Sequence, residues 1–177
     1  MRRGHVKGGD MEIDENNLRI PEWLEAQARL HLVEGDVFSF QNPVIPIRTK
    51  CRTHGAWSQK VVDEGVQLPD LDLARNHAKF LSPYLFMALR NDGETCTDID
   101  VSAATLACMH EASAHGIKQI AFPVLELNGD LSFISFLAAA ERGILLGIVG
   151  LQVMEWHVPD HVYVKGVAAP RDAFQAR

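Results

Sequence analysis

DVSAATLACMHEASAHGIKQIAFPVLELNGD, residues Asp100 to Asp130, sets out a helix, its stop, a buried strand and a loop in immediate succession. Asp98 or Asp100 supplies an N-cap, and Ala103, Leu106, Ala107 and His110 recur at the three-to-four spacing of one helical face. Gly116 stands just past the end. The short apolar run Ile120, Ala121, Phe122 and Val124 reads as a buried strand, with Pro123 near its carboxyl end. In an open α/β sheet, the loop leaving a strand at that end is where ligands bind. The run Val124 to Asp130 is therefore the first place to look for function.

Working outward, Met1 to Asn17 is polar, charged and glycine-containing, and is expected to be a flexible N-terminal tail. A single domain is expected over 18–169, with 170–177 as a loose C-terminal end. Pro21 suits a first helical position, and Trp23, Leu24 and Ala28 are read as the inward face of a short helix. A strand follows over Arg29 to Val33, and Gly35-Asp36 makes the turn. In Asn42 to Ile47 two prolines suggest strand ends or an edge. A polar loop, Arg48 to His54, leads to a helix from about Ala56 to Glu64, closed by Gly65. Phe80 to Arg90, with its internal proline, reads as a strand pair or a strand leading into loop, and Asn91 to Glu94 as a turn. After the central stretch, a helix capped by Ser132 carries Phe133, Phe136, Leu137 and Ala140, and Gly150 to His157 is expected to be the last strand. The alternation predicts an α/β fold, a three-layer α/β/α domain with a mixed, mostly parallel central sheet.

Composition narrows the functional classes. The 177 residues suffice for one domain with a well-buried core. Seventeen basic against 23 acidic residues give a net charge of -6, which gives no support to phosphate-backbone binding, so nucleic acid is not an expected partner. The apolar stretch Phe133 to Leu151 has Glu141 and Arg142 at its middle and Gly143, Gly147 and Gly150 to break it, so a buried helix followed by a strand is expected and no membrane partner is. The N-terminus lacks the apolar core of a secretory signal. Cys51, Cys96 and Cys108 form no close pair and leave an odd thiol, which suits a reducing, cytoplasmic setting.

Taken with LHLVEGDV at Leu30 to Val37, the order of elements resembles the macrodomain family of ADP-ribose-binding modules. The resemblance runs over roughly Leu30 to Val164 and is specific in Leu32 to Val37 and Gly116 to Pro123, where Ile-Ala-Phe-Pro matches the family's lead-in to a phosphate loop. It implies a set of ligand-binding positions. Asp36, followed by Val37, stands where the family's carboxylate accepts a hydrogen bond from the adenine amino group; a Gly-Asp pair by itself is mostly a turn. Arg52, Gly55, Ala56, Trp57 and Ser58 fall on the glycine-rich loop whose backbone N–H groups approach a pyrophosphate. Val124, Leu125, Glu126, Asn128 and Gly129 fall on the second phosphate loop, where Asn128-Gly129 is also a strong turn signal. Trp156 stands for the aromatic beside the adenine, or is core.

Both loops depart from the family's pattern. Ser58 and Lys60 occupy the places of later glycines, the preceding asparagines are absent from Ile47 to Thr53, and Glu126 brings negative charge toward a pyrophosphate. Lys50, Arg52 and Lys60 either supply charge to phosphates or belong to an ordinary surface loop. Without the asparagine the resemblance implies binding of ADP-ribose or a related nucleotide without efficient hydrolysis, and no catalytic residue is assigned. A weak ADP-ribosyl hydrolase would have to draw on Asp63, Glu64 or Glu126. An ADP-ribosylated or other protein is a further expected partner, and the alternative is an interaction scaffold that keeps the fold and has lost the pocket. No cofactor or metal is expected: Cys51 with His54 lacks a third orienting group, and His110 with His115 lacks completing ligands.

Overall fold

The computed structural model describes residues 23–49, 55–90, 94–127 and 130–165. The expected tail and C-terminal end, the loop ahead of Gly55, the turn at Asn91 and the Asn128-Gly129 pair lie outside the described residues. The elements are α1 (23–29), β1 (Leu30–Val33), a 3-10 turn (Val37–Ser39), β2 (Val44–Arg48), α2 (Gly55–Asp63), β3 (Ala78–Leu81), β4 (Tyr84–Arg90), α3 (Asp98–Ala114), β5 (Gln119–Phe122), α4 (Phe133–Val153) and β6 (His161–Lys165).

The sheet has two halves, β1-β6-β5 and β2-β4-β3. β1–β6, β6–β5 and β2–β4 are parallel, and the β3–β4 hairpin is antiparallel. Among the described residues a single parallel bridge, Pro43 with Ala121, joins the halves and gives the order β1-β6-β5-β2-β4-β3. Alternate residues of each strand face opposite sides. Val44, Leu85, Met87, Leu89, Ile120, Phe122, Val162 and Val164 meet Ala26 of α1 and the buried sides of α3 and α4. Ile45, Ile47, Phe86 and Ala88 meet Val61 of α2 on the other side. The result is the expected three-layer α/β/α arrangement.

Pro43 stands just ahead of β2, as expected of a strand end, whereas Pro46 lies inside β2, and neither marks an edge, since β2 lies between β4 and β5. They act on the seam instead. Ala121 N–H donates to Asn42 O at 3.4 Å, which fixes the parallel register. The next rung of that ladder would need an N–H from residue 123 to Val44 O and one from residue 46 to the carbonyl of residue 123. Both positions are proline, so neither donor exists. The halves therefore separate beyond Pro43, and the chain after Phe122 leaves the sheet.

Other expectations shift for identifiable reasons. In α1 the buried residue is Ala26, while Trp23 and Leu24 are exposed. The cap of α3 is Thr97, whose side chain accepts from Asp100 N–H while Asp100 accepts from the Thr97 N–H. The inward face of α3 is Val101, Ala104, Thr105, Cys108, Met109 and Ala112, two positions out of step with the expected face and so on the opposite side of the helix. Ser132 caps α4 as expected, but α4 continues to Val153, so Gly150 to His157 is not a strand. The glycines that read as breaks are contact points. A Cβ on Gly143 would collide with Thr105 Oγ1 and the Ser102 carbonyl, and one on Gly147 would lie 2.8 Å from Met109 Cβ. Helix α4 is long and apolar enough to cross a membrane by length and composition, yet here it packs along α3 with Phe136, Ile144 and Ile148 buried.

Candidate functional site

Where the halves of the sheet part, a cavity of about 620 Å³ opens at the carboxyl ends of the strands. That volume lies within the usual range for small-molecule sites, roughly 300–1,000 Å³. Its walls are Asp36 and Val37 after β1, Arg48 ending β2, Trp57 and Lys60 of α2, Arg90 ending β4, Pro123 to Leu127 after β5, Phe133 opening α4, and Lys165 ending β6.

The β1 corner is held by local bonding. Gly35 has φ 120°, a conformation that a side chain would strain. Asp36 caps the 3-10 turn: Phe38 N–H donates to Asp36 Oδ1 at 3.1 Å, and Ser39 Oγ donates to Asp36 O at 2.6 Å. Lys60 Nζ donates to Asp36 Oδ2 and, at 2.9 Å, to Glu64 Oε1. The same ammonium lies 5.6 Å from the centroid of the Phe38 ring, which stacks on Trp57 with centroids 5.7 Å apart. Trp57 and Lys60, three residues apart on α2, thus share one helical face at the cavity. Partial desolvation opposes ionisation of Asp36, but the hydrogen bonds from Lys60 and Phe38 N–H and the charges of Lys60 and Lys165 outweigh it and hold the carboxyl below its ordinary pKa. Hydrogen bonding to Asp36 and Glu64 raises that of Lys60. Both groups are charged at neutral pH.

The opposite wall is apolar and pinned. Val124, Leu125 and Leu127 are buried, with Glu126 exposed between them. A bridge between Leu127 and Leu131 closes the loop through N–H to carbonyl bonds of 2.9 and 3.0 Å. Asp130 beneath it accepts from Arg90 and, at 3.0 Å, from the Cys96 N–H, which fixes the guanidinium at the end of β4. Lys165 makes no ion pair among the described residues. Four cationic side chains, Arg48, Lys60, Arg90 and Lys165, face two carboxylates, Asp36 and Glu126. Among the described residues the lining therefore carries a formal +2 in a chain of net charge -6. Trp57 Nε1 is buried without a hydrogen-bond partner among the described residues.

Of the expected binding positions, the structure brings together Asp36, Val37, Trp57, Val124, Leu125 and Glu126. Gly55 opens α2, with Ala56 following it, and Ser58 is half-buried on the same helix but outside the cavity lining. Arg52, Asn128 and Gly129 lie outside the described residues. Trp156 does not join the others. It follows α4 beside Ile117, whose carbonyl accepts from His157 Nε2 at 2.8 Å, and meets His110 with ring centroids 6.1 Å apart. That is the amino edge of the sheet, opposite the cavity, because the expected strand there is the end of a helix. Of the acids named for hydrolysis, only Glu126 lines the cavity; Asp63 accepts from Gln59 Nε2 at 2.7 Å, and Glu64 holds Lys60. Arg48, Arg90 and Lys165 were not foreseen, although each is a basic residue ending a strand, a pattern visible in VIPIR, YLFMALR and HVYVK.

No protein-family sequence model matches the chain, and no curated protein matches it by sequence. Solved structures do match. The macrodomain of Thermus aquaticus DarG superposes with a TM-score of 0.52 at 13% identity, covering 78% of this chain and 98% of that one. The macrodomain of Mycobacterium tuberculosis DarG gives 0.53 at 11% identity, with 78% and 98% covered. The macro domain of ganglioside induced differentiation associated protein 2 gives 0.57 at 11% identity, with 86% and 83% covered. These superpositions show that the chain has the macrodomain fold.

Proposed function

We propose that this chain binds ADP-ribose or a related nucleotide in the cavity at the carboxyl edge of the sheet, without efficient hydrolysis, and that it works in the cytoplasm. The observation that carries the reading is a cavity of about 620 Å³ in a macrodomain fold, lined by Trp57, apolar Val124 and Leu125, and an excess of cationic side chains. Lys165 and the strand-end arginines suit phosphate, and the buried Trp57 N–H is a donor that a ligand oxygen would satisfy. The stretch Ile47 to Thr53 carries no asparagine to orient a water, which favours binding over turnover.

Isothermal titration with ADP-ribose, AMP and NAD at low and physiological salt tests this. Micromolar binding that weakens with salt, and weakens severalfold in Lys165→Met, is the expected result, together with no release of ADP-ribose from a modified protein. No heat with any of the three ligands would reject the nucleotide reading. It would leave an interaction scaffold, the reading favoured by the contact that already fills one side of Asp36.

A further inference from the structure

The Asp36 carboxylate has two oxygens, and both are engaged within the chain. Oδ1 accepts the Phe38 N–H at 3.1 Å, and Oδ2 accepts the Lys60 ammonium. Lys60 is itself held from the far side by Glu64 at 2.9 Å and lies over the Phe38 ring. A neutral amino group arriving at Oδ2 would compete with a full positive charge already placed there, and charged donors make the stronger hydrogen bonds. The rest of the lining carries Arg48, Arg90 and Lys165 at the ends of three strands.

We propose that Lys60 sets the ligand specificity of the cavity, closing Asp36 to an exocyclic amino group so that ligands are taken by their phosphate and sugar with little regard to the base. This rests on the nucleotide reading above and names its substrate class: phosphorylated ribose compounds, nucleotides among them, irrespective of a 6-amino group. Lys60 is a specificity residue acting through Asp36. Inosine nucleotides are informative partners because they carry a carbonyl oxygen where adenine carries the amino group. That oxygen cannot donate to a carboxylate.

The test compares AMP, IMP and ribose 5-phosphate by titration against the wild-type chain and Lys60→Met. The wild type should bind AMP and IMP within about twofold of each other. Lys60→Met, which frees Oδ2, should prefer AMP over IMP by about tenfold or more, the scale of a hydrogen bond to a charged group, with ribose 5-phosphate affinity little changed. Because Lys60 is a partly exposed side chain, unchanged thermal unfolding is expected and certifies the variant. A carboxyl titration of Asp36 by NMR, which should move up in Lys60→Met, reads the ion pair without any ligand. The proposal is overturned, with the nucleotide reading intact, if wild type already prefers AMP, if Lys60→Met shows no preference, or if Asp36 titrates alike in both. Absence of binding by all three compounds to both proteins overturns this proposal, and if ADP-ribose and NAD also give no heat the nucleotide reading falls with it.

Discussion

Replacing Gly143 with Ala should destabilise the fold, whereas the same change at Gly150, on the same helix, should stabilise it. Both positions gain helix propensity, about 1 kcal/mol for Gly to Ala in a helix interior. At Gly150 a Cβ meets nothing within 4 Å, so the gain stands, discounted toward about 0.5 kcal/mol because the last turn frays. At Gly143 the added methyl collides with Thr105 Oγ1 and the Ser102 carbonyl. Thr105 cannot give way easily, being fully buried with its hydroxyl donating to Val101 O and Ser102 O at 2.9 Å each. The helices must move apart across a contact that buries Val101, Ala104 and Cys108. Overpacking a close-packed interior costs typically about 1–3 kcal/mol and more where backbone is struck, so after the propensity gain a net loss of about 2 kcal/mol is expected. For a domain of this size about 2–4 °C of melting temperature accompanies each kcal/mol. Gly143→Ala should melt roughly 4–8 °C lower and Gly150→Ala about 1–2 °C higher, with urea unfolding giving the free energies. Equal effects at the two sites, or a neutral Gly143→Ala, would refute the close-packed α3–α4 contact.

Two further outcomes follow from buried groups on the same side of the sheet. Asp100 accepts from Arg75 Nη2 at 2.6 Å, Thr97 N–H at 2.8 Å and Asn76 Nδ2 at 3.2 Å; burial opposes its ionisation, yet these bonds hold its carboxyl well below the usual range. A depressed native pKa means the unfolded chain takes up the proton first as pH falls, so the contribution is complete above about pH 4 and is lost on acidification below it. Asp100→Asn should lose about 2 kcal/mol at neutral pH and show a flatter decline in stability below pH 4; a wild-type profile level down to pH 2 would contradict the network. Burial, with the nearby Asp100 charge, pushes the Cys96 thiol up to about 12, and burial likewise raises that of Cys108. Peptide mapping after iodoacetamide at pH 8 should find both unmodified in the native protein and both alkylated in denaturant, and rapid native labelling of either would show the core to be open.

The parts of the fold legible in the sequence are those where one local signal acts alone. Ser132 caps α4, Gly65 and Gly116 with positive φ follow α2 and α3, and Ile120 to Phe122 is buried where its apolar run places it. The errors come from tertiary contact. Gly150 to Val153 looks like a strand after a glycine break, but glycines at 143 and 147 are what let α4 approach α3, so the helix runs on. The true last strand, His-Val-Tyr-Val-Lys, alternates plainly, with Val162 and Val164 buried. The inward face of α3 was misplaced because Thr105 and Asp100, polar by type, are buried through hydrogen bonds that only the folded chain supplies. At the site, Asp36 and the segment after β5 were readable by position. The partnership of Asp36 with Lys60, 24 residues later, depends on how α2 docks, which no local pattern encodes.

The missing rung between β2 and β5 has a consequence for how this opening tolerates change. A pocket framed by flexible loops depends on which side chains those loops carry. Here two imino acids on either side of the seam withhold the donors of one rung, Pro46 in β2 and Pro123 after β5. The gap is a property of the main chain's covalent structure. Serine and lysine can replace glycine on α2, and glutamate can enter the segment after β5, while the sheet still stands unzipped above Pro43. The hollow persists as architecture, and the residues around its rim are free to decide what it holds.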